Sequence, residues 1–139
     1  MSYLLDTCVL SELRKQIPQK TRDWFESKDQ DFFFISAVTI AELWDGIERL
    51  PVSKKKTDLE DWFHGDIYQR FKDHIISIDD RVAKEWGTLN AQLLKKGITM
   101  GTQDLYIAAT AKSFGLELVT LNIKDFKAVD LPLINPWGL

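Results

Sequence analysis

Close to the N-terminus stands Tyr3-Leu4-Leu5-Asp6, a short apolar run that ends at a carboxylate. Such a run is typical of a buried strand, and its last residue is expected at the edge of a sheet. Helical turns are expected after it, with short helices over Ser11 to Lys15 and Thr21 to Ser27. This stretch therefore predicts a β-then-α unit.

The same alternation recurs along the rest of the chain. Further strands are predicted over Phe32 to Ile35, Ile75 to Ile78, Leu116 to Thr120 and Leu133 to Ile134. Helices are predicted over Ser36 to Leu50, Lys54 to Phe71, Asp79 to Lys95 and Thr102 to Phe114. Strands that alternate with helices favour an α/β fold, with a central, mostly parallel sheet of about four or five strands flanked by helices.

Length and composition limit the classes of protein that fit. The 139 residues include 45% hydrophobic residues, so we expect one domain over residues 1–139 and not a disordered chain. The net charge of −3 does not favour bulk electrostatic capture of nucleic acid, which would have to be bound locally.

The sequence also limits which metal ligands the protein offers and where in the cell we expect it. Cys8 is the single cysteine, so no intrachain disulfide forms, and His64 and His74 do not have zinc-ligand spacing. Asp6 interrupts the N-terminal apolar run, and no other run approaches the ~20 residues of a membrane span. We therefore expect chemistry on oxygen ligands in a cytoplasmic protein without membrane contact.

Two aspartates occupy places where function is common in such folds. Crevices of parallel sheets lie beyond the carboxyl ends of the strands, which is where Asp6 falls, although a helix cap explains it equally well. Asp104 heads a helical stripe with Ile107, Ala108 and Ala111. A half-buried carboxylate there requires a cation or several donors, whereas the alternative is an ordinary acid in a first helical turn.

Asp125 and Glu42 have weaker signals. Asp125 follows a strand, where a turn-forming aspartate is usual, and periodicity places Glu42 on the polar face of its helix with Asp45 and Arg49. If all four acids converge, their mutual repulsion favours a hard cation such as Mg²⁺ or Mn²⁺. Such an ion activates water and neutralises phosphoryl charge, as in phosphodiester hydrolysis.

Four ordered segments together resemble the PIN-domain family, in particular its VapC-type toxins, including FitB-like proteins. These segments are Leu4-Leu5-Asp6-Thr7, Ser36 to Leu43, Asp104 with Ile107 to Ala111, and Leu118 to Asn122 with Asp125-Phe126. The resemblance spans nearly the whole chain. It implies a PIN fold and a Mg²⁺- or Mn²⁺-dependent endoribonuclease, the toxin of a type II toxin–antitoxin system inhibited by a VapB-like antitoxin.

The resemblance also implies roles for individual residues. Asp6, Glu42, Asp104 and Asp125 map onto the family's catalytic, metal-binding acidic quartet, with Asp6 and Asp104 as principal ligands. Thr120 maps onto a supporting hydroxyl. The implied partners are RNA, the antitoxin, a second copy in a homodimer, and larger toxin–antitoxin assemblies that contact DNA through the antitoxin alone. Leu121 departs from the family, many of whose members have a basic residue there.

Two other functions remain open at this stage. One is a non-catalytic interaction module with the same fold, to which partly exposed aromatics of the helical hairpin would contribute. The other is a phosphotransfer enzyme with an aspartate nucleophile, but Cys8 stands where its usual second aspartate would be. Lys54, Lys55 and Lys56 are candidate RNA contacts, although such charges are more often a solvated surface.

Overall fold

A five-stranded parallel sheet forms the centre of the computed structural model, which describes residues 1–139. Its strands are β1 (Tyr3–Leu5), β2 (Phe33–Ser36), β3 (Ile75–Ile76), β4 (Glu117–Val119) and β5 (Leu133–Ile134). They lie in the order β3-β2-β1-β4-β5, and every pair is parallel. The predicted α/β fold with a mostly parallel sheet is confirmed.

Seven helices surround the sheet. They are α1 (Thr7–Leu13), α2 (Gln19–Glu26), α3 (Ala37–Glu48), α4 (Lys54–Trp62), α5 (Asp80–Lys95), α6 (Thr102–Phe114) and α7 (Ile123–Phe126). A π-helical segment, Phe63–Gln69, continues α4, and 3-10 turns cover Gln30–Phe32 and Pro136–Gly138. None of these helices combines the length and the apolarity needed to cross a membrane.

Alternation along β1 divides the interior into two cores. Leu4 faces the core that α5 and α6 cover, together with Leu118 of β4. Tyr3 and Leu5 face the opposite core, with Phe33 of β2, against α1 and α3. Side chains of a strand point alternately to its two faces, so the three residues of β1 fix helices on both sides of the sheet. Burial of each large apolar side chain contributes roughly 1.5–3 kcal/mol.

Several predicted boundaries were wrong. The first helix covers Thr7–Leu13 instead of Ser11 to Lys15, because the Asp6 carboxylate accepts a hydrogen bond from the Thr7 amide and starts the helix there. Phe32 belongs to a 3-10 turn and not to a strand, and its side chain is exposed. The strand predicted over Ile75 to Ile78 ends at Ile76.

The helix predicted from Lys54 to Phe71 is not uniform. It is α-helical to Trp62 and then π-helical from Phe63 to Gln69. Phe63, Ile67 and Phe71, spaced four residues apart, are all buried on one face of the segment. The segment also contains Gly65, a residue of low helix propensity.

Two glycines are expected to respond oppositely to alanine. Gly115 ends α6 with φ +63°, so Gly115→Ala is expected to lower the free energy of unfolding by about 1 kcal/mol.

Gly87 lies inside α5 with no atom within 4 Å of an added Cβ, so Gly87→Ala is expected to raise the free energy of unfolding by about 0.5–1 kcal/mol. Urea unfolding measures both changes, and shifts of the same sign would contradict this account.

Candidate active site

The carboxylate of Asp6 lies at the junction between β1 and α1. The backbone N–H of Asp6 donates to the Val119 carbonyl oxygen at 2.9 Å, which ties the end of β1 to the end of β4. The side chain is only 5% exposed. A carboxylate buried to this degree needs hydrogen-bond donors, and the surrounding residues provide them.

Both oxygens of that carboxylate accept hydrogen bonds. Oδ1 accepts from the Thr7 amide at 2.8 Å, and Oδ2 accepts from the Thr120 hydroxyl at 2.8 Å. The Cys8 thiol also donates to Oδ2, at 3.4 Å. Burial, followed by the Asp6 charge, raises the pKa of Cys8 to about 11, so the thiol is protonated at neutral pH. Cys8 therefore acts as a weak donor to Asp6 and not as a thiolate nucleophile.

A chain of hydroxyls orients Glu42. The Thr7 hydroxyl donates to Glu42 Oε1 at 2.8 Å and lies 2.9 Å from the Thr39 hydroxyl. A hydroxyl has one proton to donate, so Thr39 must be the donor in its contact with Thr7. Glu42 is consequently half-buried against α1, whereas the helical pattern placed it on a polar, solvated face.

Asp104 and Asp125 line a cleft of about 270 Å³ at the start of α6. Asp104 is in the first turn of α6 and half-buried, whereas Asp125 is exposed in α7. Ile107 and Ala108, which follow Asp104 on the same helical face, are almost completely buried, as predicted. Lys124 lines the same cleft.

Electrostatic coupling connects the four acids. Burial raises the pKa of Glu42, the charges of Asp6 and Asp104 raise it further, and the Thr7 hydrogen bond opposes them. Burial likewise raises the pKa of Asp104, followed by the charges of Asp6 and Asp125. Negative charge is therefore unfavourable at this edge of the sheet, and a cation bound there would be stabilised.

The chemistry of these donors fits a hard divalent cation. Carboxylate and hydroxyl oxygens are the ligands that Mg²⁺ and Mn²⁺ prefer, and the thiol beside them is protonated. As the side chains stand, however, no group of three or more His, Cys, Asp or Glu is arranged to hold a metal ion. Side-chain rotation would be needed to bring three carboxylates onto one ion.

The family resemblance pointed to Thr120, whose hydroxyl donates to Asp6, but not to the two threonines that orient Glu42. Thr39 was not singled out, although it stands three residues before Glu42 and so shares its side of α3. Thr7 adjoins Asp6, yet its contact with Glu42 depends on how α1 packs against α3. Lys54 is paired with Asp58 on its own helix, at 3.3 Å.

Comparisons with known proteins agree on one family. The PIN domain family model matches residues 3–131. Toxin FitB of Neisseria gonorrhoeae is 35% identical over 135 residues, covering 96% of this chain and 97% of that protein. VapC ribonuclease Y4jK of Sinorhizobium fredii is 32% identical over 135 residues, covering 96% of each.

Solved structures show the same likeness. The crystal structure of FitAcB from Neisseria gonorrhoeae superposes with a TM-score of 0.89 at 33% identity, covering 99% of both chains. That of VapBC2 from Rickettsia felis, bound to a DNA fragment from their promoter, superposes with a TM-score of 0.82 at 30% identity, covering 97% of this chain and 98% of that one.

Replacing a site carboxylate is expected to stabilise the fold. Because the pKa of Asp104 is raised in the folded state, its ionised form costs stability at neutral pH, and that cost disappears as pH falls through the raised pKa. Asp104→Asn should therefore raise the melting temperature at pH 7 by a few degrees, a modest gain because the side chain is half-exposed. Near pH 4, the pKa of an aspartate in the unfolded chain (about 4), the same substitution should change the melting temperature little.

Thermal unfolding between pH 4 and pH 7 measures this difference. Asp45→Asn is the matched control, because Asp45 is an exposed acid of α3 paired with Arg49 at 3.1 Å. It makes the same charge change and should give no such gain. A gain for Asp104→Asn that does not depend on pH would contradict the electrostatic explanation.

Proposed function

The chain belongs to the PIN domain family, and from that premise we propose that it is a VapC-type toxin, a Mg²⁺- or Mn²⁺-dependent endoribonuclease of a type II toxin–antitoxin system. We further propose that residues 1–139 are a single PIN domain that acts in the cytoplasm. The proposal is carried by the arrangement of the acids, since Thr7 donates hydrogen bonds to both Asp6 and Glu42. Asp104 and Asp125 line one cleft, and the charge of Asp6 raises the pKa of Asp104. The 32% identity to a VapC ribonuclease supports it.

The family resemblance suggests a role for each acid, and the surroundings of each support it. Asp6, the most buried of the four, would with Asp104 be a principal metal ligand. Glu42, oriented by Thr7, would hold the ion or one of its waters, and the exposed Asp125 would complete the group. When bound, the ion would lower the pKa of a water molecule and neutralise charge on the phosphoryl oxygens.

The protein's own groups would position the reaction. In hydrolysis the water oxygen bonds to phosphorus, the phosphorus–oxygen bond to one ribose breaks, and the departing oxygen takes a proton. Thr120 fixes Asp6 and thereby the place of attack. Lys124 lines the cleft with Asp104 and Asp125 and would contact a phosphate there.

We also propose partners for the chain. A VapB-like antitoxin would inhibit it, homodimers and larger toxin–antitoxin assemblies would form, and DNA would be contacted through the antitoxin alone. The similar solved structure of VapBC2 from Rickettsia felis, bound to a promoter DNA fragment, supports an antitoxin partner. Charge complementarity agrees, because an antitoxin cation would be stabilised by the acidic group.

Cleavage of a labelled single-stranded RNA panel tests the activity. We expect cutting with Mg²⁺ or Mn²⁺, none with EDTA, and a loss of at least about a hundredfold in Asp6→Asn and Asp104→Asn. Asp45→Asn is the control and should cut normally. Cutting that survives EDTA or both substitutions would refute the site, and absence of cutting by the unaltered protein on every RNA would favour the non-catalytic interaction module.

Light scattering after size-exclusion chromatography tests the partners. The chain alone is expected to elute as a dimer and to form a larger complex with the protein encoded beside it. Addition of that protein should also suppress RNA cleavage. A monomer without affinity for the neighbouring gene product would contradict the proposed assembly.

A further inference from the structure

Two hollows meet at Arg14 and Trp62, beyond the acidic group. The first, which we name the α1–α3 groove, has a volume of about 320 Å³ and contains Glu42, Ser11 and Gly46 among its lining residues. The second, the aromatic hollow, has a volume of about 450 Å³, and eight of its twelve lining residues are hydrophobic. Arg14 and Trp62 line both, so the aromatic hollow adjoins the groove that contains Glu42.

Arg14 is held by an aromatic ring and not by an acid. Its guanidinium carbon lies 5.0 Å from the centroid of the Trp62 ring. The three ion pairs of the structure involve other residues, and Arg14 is exposed. Stacking occupies the face of a guanidinium, whereas its N–H donors lie in its plane and stay available to an anion.

The aromatic hollow has polar groups at its rim. Arg70 donates to the Gln30 side-chain oxygen from two nitrogens, at 2.7 and 3.1 Å. Asp66 adds an acceptor to the lining, and Phe25, Phe33 and Phe71 add aromatic rings to that of Trp62. Aromatic side chains combined with a small number of polar groups are the usual lining of a site for a flat, small organic group such as a nucleobase.

Gly46 keeps the α1–α3 groove open. It lies inside α3, where glycine lowers helix stability, and its φ does not require glycine. No atom lies within 4 Å of a Cβ added there, so packing does not require glycine either. The missing side chain leaves space between Glu42 and Trp62 that a larger residue would fill.

We propose that Arg14 and Trp62 form a subsite for a nucleotide of single-stranded RNA next to the scissile phosphate, an inference that rests on the proposed ribonuclease function. The Arg14 guanidinium binds a backbone phosphate, and the adjacent base enters the aromatic hollow and stacks on Trp62. An unpaired cation beside a partly exposed indole is the pairing that single-strand sites use. In a chain of net charge −3, such local contacts must supply the attraction.

Equilibrium binding of a labelled single-stranded RNA of mixed sequence to the full chain, in EDTA so that cleavage does not intervene, tests Arg14. Arg14→Gln should weaken binding roughly tenfold and reduce the slope of log affinity against log salt by about 0.7. Arg81→Gln is the matched control, since Arg81 lies 4.1 Å from the ring of Phe114, at the opposite end of α6 from Asp104. It should change neither quantity.

Steady-state cleavage with Mg²⁺ tests Trp62 and Gly46. Trp62→Leu should raise KM roughly tenfold with kcat within about twofold, and Trp62→Phe should restore most of the loss because it keeps a stacking face. Gly46→Leu should raise KM similarly by filling the groove. Gly87→Leu, at another open helical glycine in α5, should leave KM unchanged. Melting temperatures verify that each variant is folded.

The outcomes separate this inference from the function on which it rests. If the unaltered protein neither binds nor cuts RNA, the ribonuclease proposal fails and the subsite fails with it. If it cuts RNA, but Arg14→Gln and Gly46→Leu retain its KM and salt slope, the subsite alone is refuted. Weakened binding of an acidic protein partner by those variants, with RNA affinity unchanged, would likewise overturn the proposal in favour of a protein-binding hollow.

Discussion

The buried carboxylate of Asp6 is the constraint on which the site depends. An ionised group that is 5% exposed is costly unless donors compensate it, and here the donors come from separate parts of the chain. The first donor is the amide of Thr7, the residue at which α1 begins. The second is the hydroxyl of Thr120, the residue directly after β4. The Asp6 amide in turn bonds Val119. The same residue therefore registers two neighbouring strands and starts a helix.

Thr7 extends this constraint to a second acid. Its amide donates a hydrogen bond to Asp6 and its hydroxyl donates one to Glu42, so one residue orients carboxylates from two parts of the chain. A hydrogen bond to a charged group contributes about 1.5–3 kcal/mol, which offsets part of the burial cost, and of the smaller repulsion, that raise the pKa of Glu42. The remaining cost lowers stability at the place where a cation would bind.

The sequence was most informative where a signal is local. Strand alternation in β1 and the buried stripe after Asp104 follow from periodicity, and the α/β fold was predicted on that basis. The π turn at Phe63–Gln69 was missed because the spacing of Phe63, Ile67 and Phe71 fits an α-helix equally well. Glu42 was placed on a solvated face because its half-buried position depends on α1, which is distant in sequence.

The distribution of positive charge limits how such a protein attracts RNA. Lys15, Arg49 and Lys54 are each paired with an acid three or four residues away in sequence, which reduces their field beyond the immediate surface. Arg14 differs because its partner is the neutral ring of Trp62. If long-range attraction is weak, affinity must come from short-range contacts, and stacking requires a base whose face is exposed. A site built in this way discriminates against paired strands by geometry, before any base edge is read.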